Sequence, residues 1–300
     1  MKRNSILLMM ALGVCCACTG GKQDSSKTDV NDSLEQTTDE AQPEIPDTSA
    51  EVDAPEMISK TTETITINGV SITMIRVEGG RMDMGAQTED PAGKNYDAEA
   101  DEEDGPVHTE TVGTFYLAET EVTQEFWKAV MGEGGGIIDK ADFEPKHPVC
   151  YLRSSNCMAL IKRLNALTGL NFRYPTEAEW EFAARGGNKS KGYKYSGSNN
   201  VDDVAWYNDN SSNATHPVKT KAPNELGLYD MSGNVSEWVD DSWYYFMDPT
   251  ISEEAFDVRV HRGGAMIDGA GECSVFHREG EVDGTAYNTV GFRLALDPKE

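Results

Sequence analysis

The stretch Arg173-Tyr174-Pro175-Thr176-Glu177-Ala178-Glu179-Trp180-Glu181-Phe182-Ala183-Ala184-Arg185-Gly186-Gly187 carries the signals for a helix and for both of its ends. Thr176 and Glu179 have the spacing of a capping box, in which the hydroxyl accepts from the backbone three residues on and the carboxylate reaches back. Pro175 fixes φ just ahead of the cap, and Gly186-Gly187 supplies the stop. Trp180, Ala183 and Ala184 fall on one apolar face. The segment therefore predicts a short helix that packs on a core from that side.

Upstream, Thr64-Ile65-Thr66-Ile67-Asn68-Gly69-Val70-Ser71-Ile72-Thr73-Met74 alternates apolar and polar residues around Asn-Gly, which predicts a β-hairpin with a type I′ turn. Val77 to Gly85 reads as a further short strand and turn. The carboxylate-rich run Asp97 to Asp104 lacks the spacing and glycine of an EF-hand, so it reads as a solvated loop in preference to the alternative, a metal site. A short helix should carry Phe126, Trp127 and Val130. A second, Ser155 to Leu167, should bury Met158, Ile161, Leu164 and Leu167 and stop at Gly169, with Cys157 as a small buried hydrophobe. Beyond Arg185 the chain is rich in Gly, Asn, Asp and Ser. The expectation is an α+β domain with short strands and much irregular backbone.

The amino terminus reads differently. Lys2 and Arg3 precede a short apolar run, Ile6 to Val14, and then Cys15-Cys16-Ala17-Cys18. That run is too short to span a bilayer, so it reads as a secretory signal. A cysteine after a small residue resembles a bacterial lipobox, making Cys18 the candidate for lipidation and Cys16 the second choice. Ordinary cleavage near Ala17 is the other reading. From Lys22 to about Lys60 the composition is acidic and polar, as expected of a disordered tether. The chain thus divides into a signal at 1–17, a tether at 18–62 and a domain at 63–300.

The formal charge of −26 over 300 residues argues against binding of nucleic acid or of anionic lipid surfaces, which leaves the lipid anchor as the membrane contact. Of six cysteines, three lie in the signal region, leaving Cys150, Cys157 and Cys273 in the domain. That odd count, without a CxxC pair, excludes a disulfide scaffold or a zinc ribbon. His108, His147, His216, His261 and His277 show no zinc-protease spacing.

In order along Val70 to Leu296, the segments Met84-Gly85, Pro106-Val107-His108, Glu121-Val122-Thr123, His147-Pro148-Val149, the capping-box helix, Gly227-Leu228-Tyr229-Asp230-Met231-Ser232-Gly233-Asn234-Val235-Ser236-Glu237-Trp238, Arg262-Gly263-Gly264 and Val290-Gly291-Phe292-Arg293 resemble the formylglycine-generating enzyme (sulfatase-modifying factor) family. The resemblance implies that family's compact α+β fold, related to C-type lectins and low in regular structure. It also implies a structural calcium ion held by the side chains of Asp230 and Glu237 with the carbonyls of Gly233 and Val235. Such a block suits a hard cation, which takes oxygen ligands. The other reading is a tight turn whose carboxylates cap backbone N–H groups.

Family members that make formylglycine oxidise a substrate cysteine with oxygen, through two close cysteines that bind copper; soft Cu(I) favours thiolates. Counting forward from Gly264, Asp268 falls at the first cysteine position and Cys273 at the second. Counting back from Arg278, Cys273 falls beyond both. Either register loses a thiolate, so copper is not expected. A pairing of Cys273 with His277 is disfavoured because Val275 and Phe276 favour a strand. The expectation is a lipid-anchored protein of the bacterial cell envelope that acts in binding or assembly. Its partner would be a peptide, protein or glycan. Trp206, Tyr207, Trp243, Tyr244, Tyr245 and Phe246 are candidates to line a groove, or equally to fill the core. The alternative is a working oxidoreductase that converts a sulfatase cysteine to formylglycine.

Overall fold

The structure, a computed structural model, describes residues 52–53, 61–132, 143–242, 258–282 and 284–299. Cys16 and Cys18, the signal, most of the tether, and Trp243, Tyr244, Tyr245 and Phe246 lie outside the described residues.

Strands β2 (Thr62–Ile67) and β3 (Val70–Val77) form the expected hairpin, with Ile67 paired to Val70. Asn68 and Gly69 both have positive φ, 49° and 78°, as a type I′ turn requires. β1 (Val52–Asp53) pairs on the outer edge of β2, so sheet pairing begins inside the stretch that composition assigns to the tether. β6 (Phe115–Ala118), β7 (Phe172–Arg173) and β12 (Ala295–Leu296) complete an antiparallel sheet in the order β1-β2-β3-β6-β12-β7. A second sheet, β10-β9-β8-β11, joins β8 (Ser236–Ser242), β9 (Val258–Arg262), β10 (Arg278–Val282) and β11 (Val290–Gly291). β11 runs parallel to β8. β4 (Gly80–Met84) and β5 (His108–Val112) pair alone.

The six-stranded sheet is buried on both faces at its centre, along β6 and β12, while β2 keeps one face towards solvent. Successive side chains of a strand point to opposite sides, and here neighbours enter different cores. Met74 and Tyr116 pack with α1 (Gln124–Met131) and α2 (Ser154–Thr168), whereas Ile75 and Leu117 pack with α3 (Glu177–Ala184). All four residues of β6 are accordingly buried. The α2 stripe is rotated from the one expected: Cys157, Leu160, Ile161 and Leu164 are buried, while Met158 is 36% exposed. Gly169 ends α2 in the left-handed conformation, as anticipated.

The capping box of α3 is formed. Glu179 N donates to Thr176 Oγ1 at 3.1 Å, and Thr176 N donates to Glu179 Oε2 at 2.9 Å. The expectation of one apolar face is corrected, because α3 buries Glu177, Glu179 and Glu181 as well as Trp180 and Phe182. Arginines make this possible. Arg173 grips Glu179 with both terminal nitrogens, at 2.6 and 2.7 Å. Arg262 reaches Glu177 at 2.7 Å and Glu181 at 2.5 Å, and Arg278 meets Glu177 with two bonds of 2.7 Å. Glu181 also accepts from Gly85 N at 2.8 Å and from Arg185 Nε at 2.8 Å.

Burial alone would raise the pKa of Glu181, but Arg185 and Arg262 hold it below the usual value of 4.5. A lowered folded pKa contributes stability that is present above about pH 4.5 and lost as pH falls through the folded value. Acid unfolding monitored by circular dichroism should therefore be blunted in Glu181→Gln. At neutral pH that variant should lose about 3–5 kcal/mol, because it strands buried guanidinium charge. Thr176→Ala should cost about 1 kcal/mol, a fall in Tm of roughly 2–4 °C.

Candidate functional site

The Gly227–Trp238 block coils tightly before entering β8. Asp230 and Asn234 take positive φ, 56° and 66°, as does Gly233 at 75°. A Cβ at Gly233 would lie 2.4 Å from the Trp206 carbonyl oxygen, so only glycine fits there. The coil directs Asp230 inward, 4% exposed, and β8 then carries Glu237 into the core, 1% exposed. Glu237 accepts from Arg293 Nε and Nη2, both at 2.6 Å, and from Trp180 Nε1 at 2.6 Å. Asp230 Oδ2 accepts from Lys219 N at 2.9 Å.

A third buried carboxylate joins them. Glu121 accepts from Val235 N at 3.0 Å and from Asn234 Nδ2 at 2.7 Å. Sequence reasoning quoted Glu121 and Arg293 within family segments but gave neither a role. Glu121, Asp230 and Glu237 surround one buried guanidinium, Arg293, so negative charge is in excess. Burial chiefly, aided by neighbouring carboxylates, pushes Asp230 up to about 6 and Glu121 well above the usual range. Such an excess of hard oxygen donors could hold a divalent cation, although Glu237 Oε2 already accepts two hydrogen bonds and leaves that role to Oε1 and to the other carboxylates. Glu237 would share that ion with Arg293.

The Arg262-Gly263-Gly264 segment leaves β9 and folds back on itself. A Cβ at Gly264 would stand 2.7 Å from the Glu272 carbonyl oxygen, so the loop closes over the glycine. Asp268 Oδ2 accepts from Ala265 N at 2.8 Å, and its carbonyl accepts from Asn208 N at 3.0 Å. Cys273 lies fully buried beside Tyr195, Val204, Ala205 and Tyr207. Burial first, then Asp268, Glu272 and Glu279, push its thiol far above the ordinary value. Burial likewise raises Asp268 to about 6 and, with Glu121, Cys150 to about 11. Cys157 belongs to a different core, and none of the three described cysteines is in a disulfide. A carboxylate and one protonated thiol are not the thiolate pair that Cu(I) favours, and the residues present do not fit that centre.

Two further expectations are corrected here. Val275 and Phe276 form turns rather than a strand: Cys273 N bonds Ala270 O at 3.2 Å and Ser274 N bonds Gly271 O at 3.1 Å. Glycine at 269 and 271 outweighs the local β-propensity. Asp104, expected in a solvated loop, is 3% exposed and faces His277. Of the aromatic candidates, Tyr207 is core, whereas Trp206 is partly exposed and stacks on His216 at 3.7 Å. A cavity of about 290 Å³ opens between Gly85, Asp104, Glu110, Glu177, Asp241 and Arg262, where carboxylates outnumber cations.

Comparison with known proteins places this geometry. Residues 63–298 match the Sulfatase-modifying factor enzyme 1-like domain. The "Chaperone protein LppX" of Paenibacillus barcinonensis is 32% identical over 52% of this chain and 71% of its own length. The "Formylglycine-generating enzyme" of Thermomonospora curvata is 31% identical over 58% and 62%, respectively. The "Inactive C-alpha-formylglycine-generating enzyme 2" of Bos taurus is 29% identical over 76% and 89%. Among solved structures, Treponema denticola variable protein 1 aligns with a TM-score of 0.64 and 28% identity, covering 80% of this chain and all of that one. The ordered motifs, the shared fold and the domain match establish that this chain belongs to the formylglycine-generating enzyme (sulfatase-modifying factor) family, as a diverged member.

Proposed function

We propose that this protein is a non-catalytic member of its family, anchored to a bacterial cell envelope through a lipid on Cys18, and that its domain works by binding or assembly. The observation that carries this reading is the loop from Gly264 to Cys273. It presents a carboxylate and a buried, protonated thiol where copper-dependent oxidation needs two accessible thiolates. Two relatives support it by name, one an inactive enzyme and one a chaperone protein. The partner is a peptide, protein or glycan of the envelope. The acidic charge disfavours nucleic acid.

We further infer a structural calcium ion held by Asp230 and Glu237 with the carbonyls of Gly233 and Val235. The ion supplies positive charge where Glu121, Asp230 and Glu237 exceed Arg293, and so steadies the coil that leads into β8. Supporting this are the burial of all three carboxylates and the elevation of Asp230 to about 6.

Purified protein loaded with Cu(I) and given a sulfatase-motif peptide under oxygen should leave the peptide cysteine unchanged. Turnover abolished by Cys273→Ser would establish the oxidoreductase instead. For calcium, removal by chelator should lower Tm by on the order of 5–10 °C, since an ion at a hundredfold excess over Kd contributes about 2.7 kcal/mol. Asp230→Asn should shrink that difference. It is the better probe because Glu237 also neutralises Arg293, so its loss destabilises with or without an ion. Identical melts in both buffers would leave the block as a turn alone.

A further inference from the structure

A second cluster of ligating side chains lies away from the Asp230 loop, where the 3-10 turn Glu102–Asp104 meets the start of β10. One ligand atom from each of Asp101, Asp104 and His277 falls within 4.8 Å of the other two. Asp104 is 3% exposed. Its Oδ2 accepts from Asp101 N at 2.8 Å, which fixes the carboxylate. Its Oδ1, although buried, has no hydrogen-bond donor and stands 3.3 Å from His277 Nδ1. On the far side of the ring, Glu279 Oε1 lies 3.6 Å from Nε2. His261 Nδ1 in turn lies 3.8 Å from Glu279 Oε2.

We propose that Asp101, Asp104 and His277 bind a divalent transition-metal ion, Zn²⁺ foremost, with Glu279 orienting the imidazole. The donor set is one imidazole nitrogen and two carboxylate oxygens, which suits zinc. Bonds of about 2.0–2.2 Å in a tetrahedral site put neighbouring ligand atoms about 3.4 Å apart. Asp104 Oδ1 and His277 Nδ1 already stand at that separation. Asp101 is exposed, so a modest swing brings its carboxylate to the third corner. The fourth corner is left to water.

The surroundings agree with this assignment. A metal-bound imidazole commonly donates its other N–H to a carboxylate that sets the tautomer, and Glu279 occupies that place opposite Nδ1. The carboxylates of Asp104 and Glu279 flank the His277 ring, 3.3 Å from Nδ1 and 3.6 Å from Nε2. The spot therefore attracts positive charge, and a metal ion would take the place of the ring proton. Ca²⁺ is a poor competitor, because it takes six to eight oxygens and gains little from a nitrogen. This keeps the site distinct from the Asp230 loop.

The test uses the full chain, freed of metal by chelator and then held in excess Ca²⁺, and titrates Zn²⁺ against a chromophoric chelator. One specific Zn²⁺ equivalent is expected. Asp101→Asn should abolish it, and Glu279→Gln should weaken it by about 10–100-fold. Both side chains reach solvent, so metal-free melts should match the parent. Co²⁺ in place of Zn²⁺ should give visible ligand-field bands without the near-ultraviolet charge-transfer band of thiolate ligation. Absence of a specific Zn²⁺ equivalent would overturn the proposal and leave His277 and Asp104 as an ion pair that holds the turn to β10. Binding indifferent to Asp101→Asn would overturn it as well, as would a thiolate band.

Discussion

The burial of Arg262 between Glu177 and Glu181 is the constraint on which most of the fold depends. A guanidinium that is 1% exposed is tolerated only with carboxylates in place, and those carboxylates come from successive turns of α3. The same arginine also donates to the Val275 carbonyl at 3.0 Å, so it fixes the loop that follows Gly264 as well as the helix. Glu177 adds Arg278 to the assembly, and Glu181 adds Gly85 and Arg185. A helix, both strands of a hairpin and the β4 turn thus share one polar junction inside an otherwise apolar layer.

Arg293 and Glu237 repeat the device on the other side of Trp180, whose indole N–H donates to the same carboxylate. The two junctions differ in charge balance. Arg262, Arg278 and Arg185 are three guanidinium groups around two glutamates, Glu177 and Glu181. Around Arg293 the carboxylates of Glu121, Asp230 and Glu237 are in excess. Ion pairing accounts for the first, whereas the second is where we propose a cation. The loop between Gly264 and Cys273 presents a buried thiol with the carboxylates of Asp268 and Glu272.

What was legible in the sequence was local. Asn68-Gly69 and the Thr176–Glu179 cap involve residues at most three apart, and their chemistry admits few conformations. The burial of the α3 glutamates was not legible, because Arg262 and Arg278, which bury Glu177 and help to bury Glu181, stand 81 to 101 residues away. Glutamate on a helix ordinarily marks a solvated face. The α2 stripe was misplaced by a fraction of a turn because apolar residues occupy both Met158 and Leu160, and periodicity alone could not choose between them. Val275 and Phe276 misled for a related reason: β-propensity yielded to the glycine-rich turns before them. Likewise Asp104 was hidden in a run of acids that looked uniform, and only the approach of His277 from a distant strand sets it apart.

Of the two last described strands, one lies inside its sheet and the other on an edge. β12 lies between β6 and β7 in one sheet, and β11 closes the other beside β8. Both sheets therefore lack a member until Val290 to Leu296 has arrived, and every pairing those residues make except that with Phe172 and Arg173 or with β8 spans well over half of the domain. Assembly dominated by such distant closures is intrinsically slow. Until Val290 to Leu296 is in place, the β6 edge that β12 covers stays unpaired.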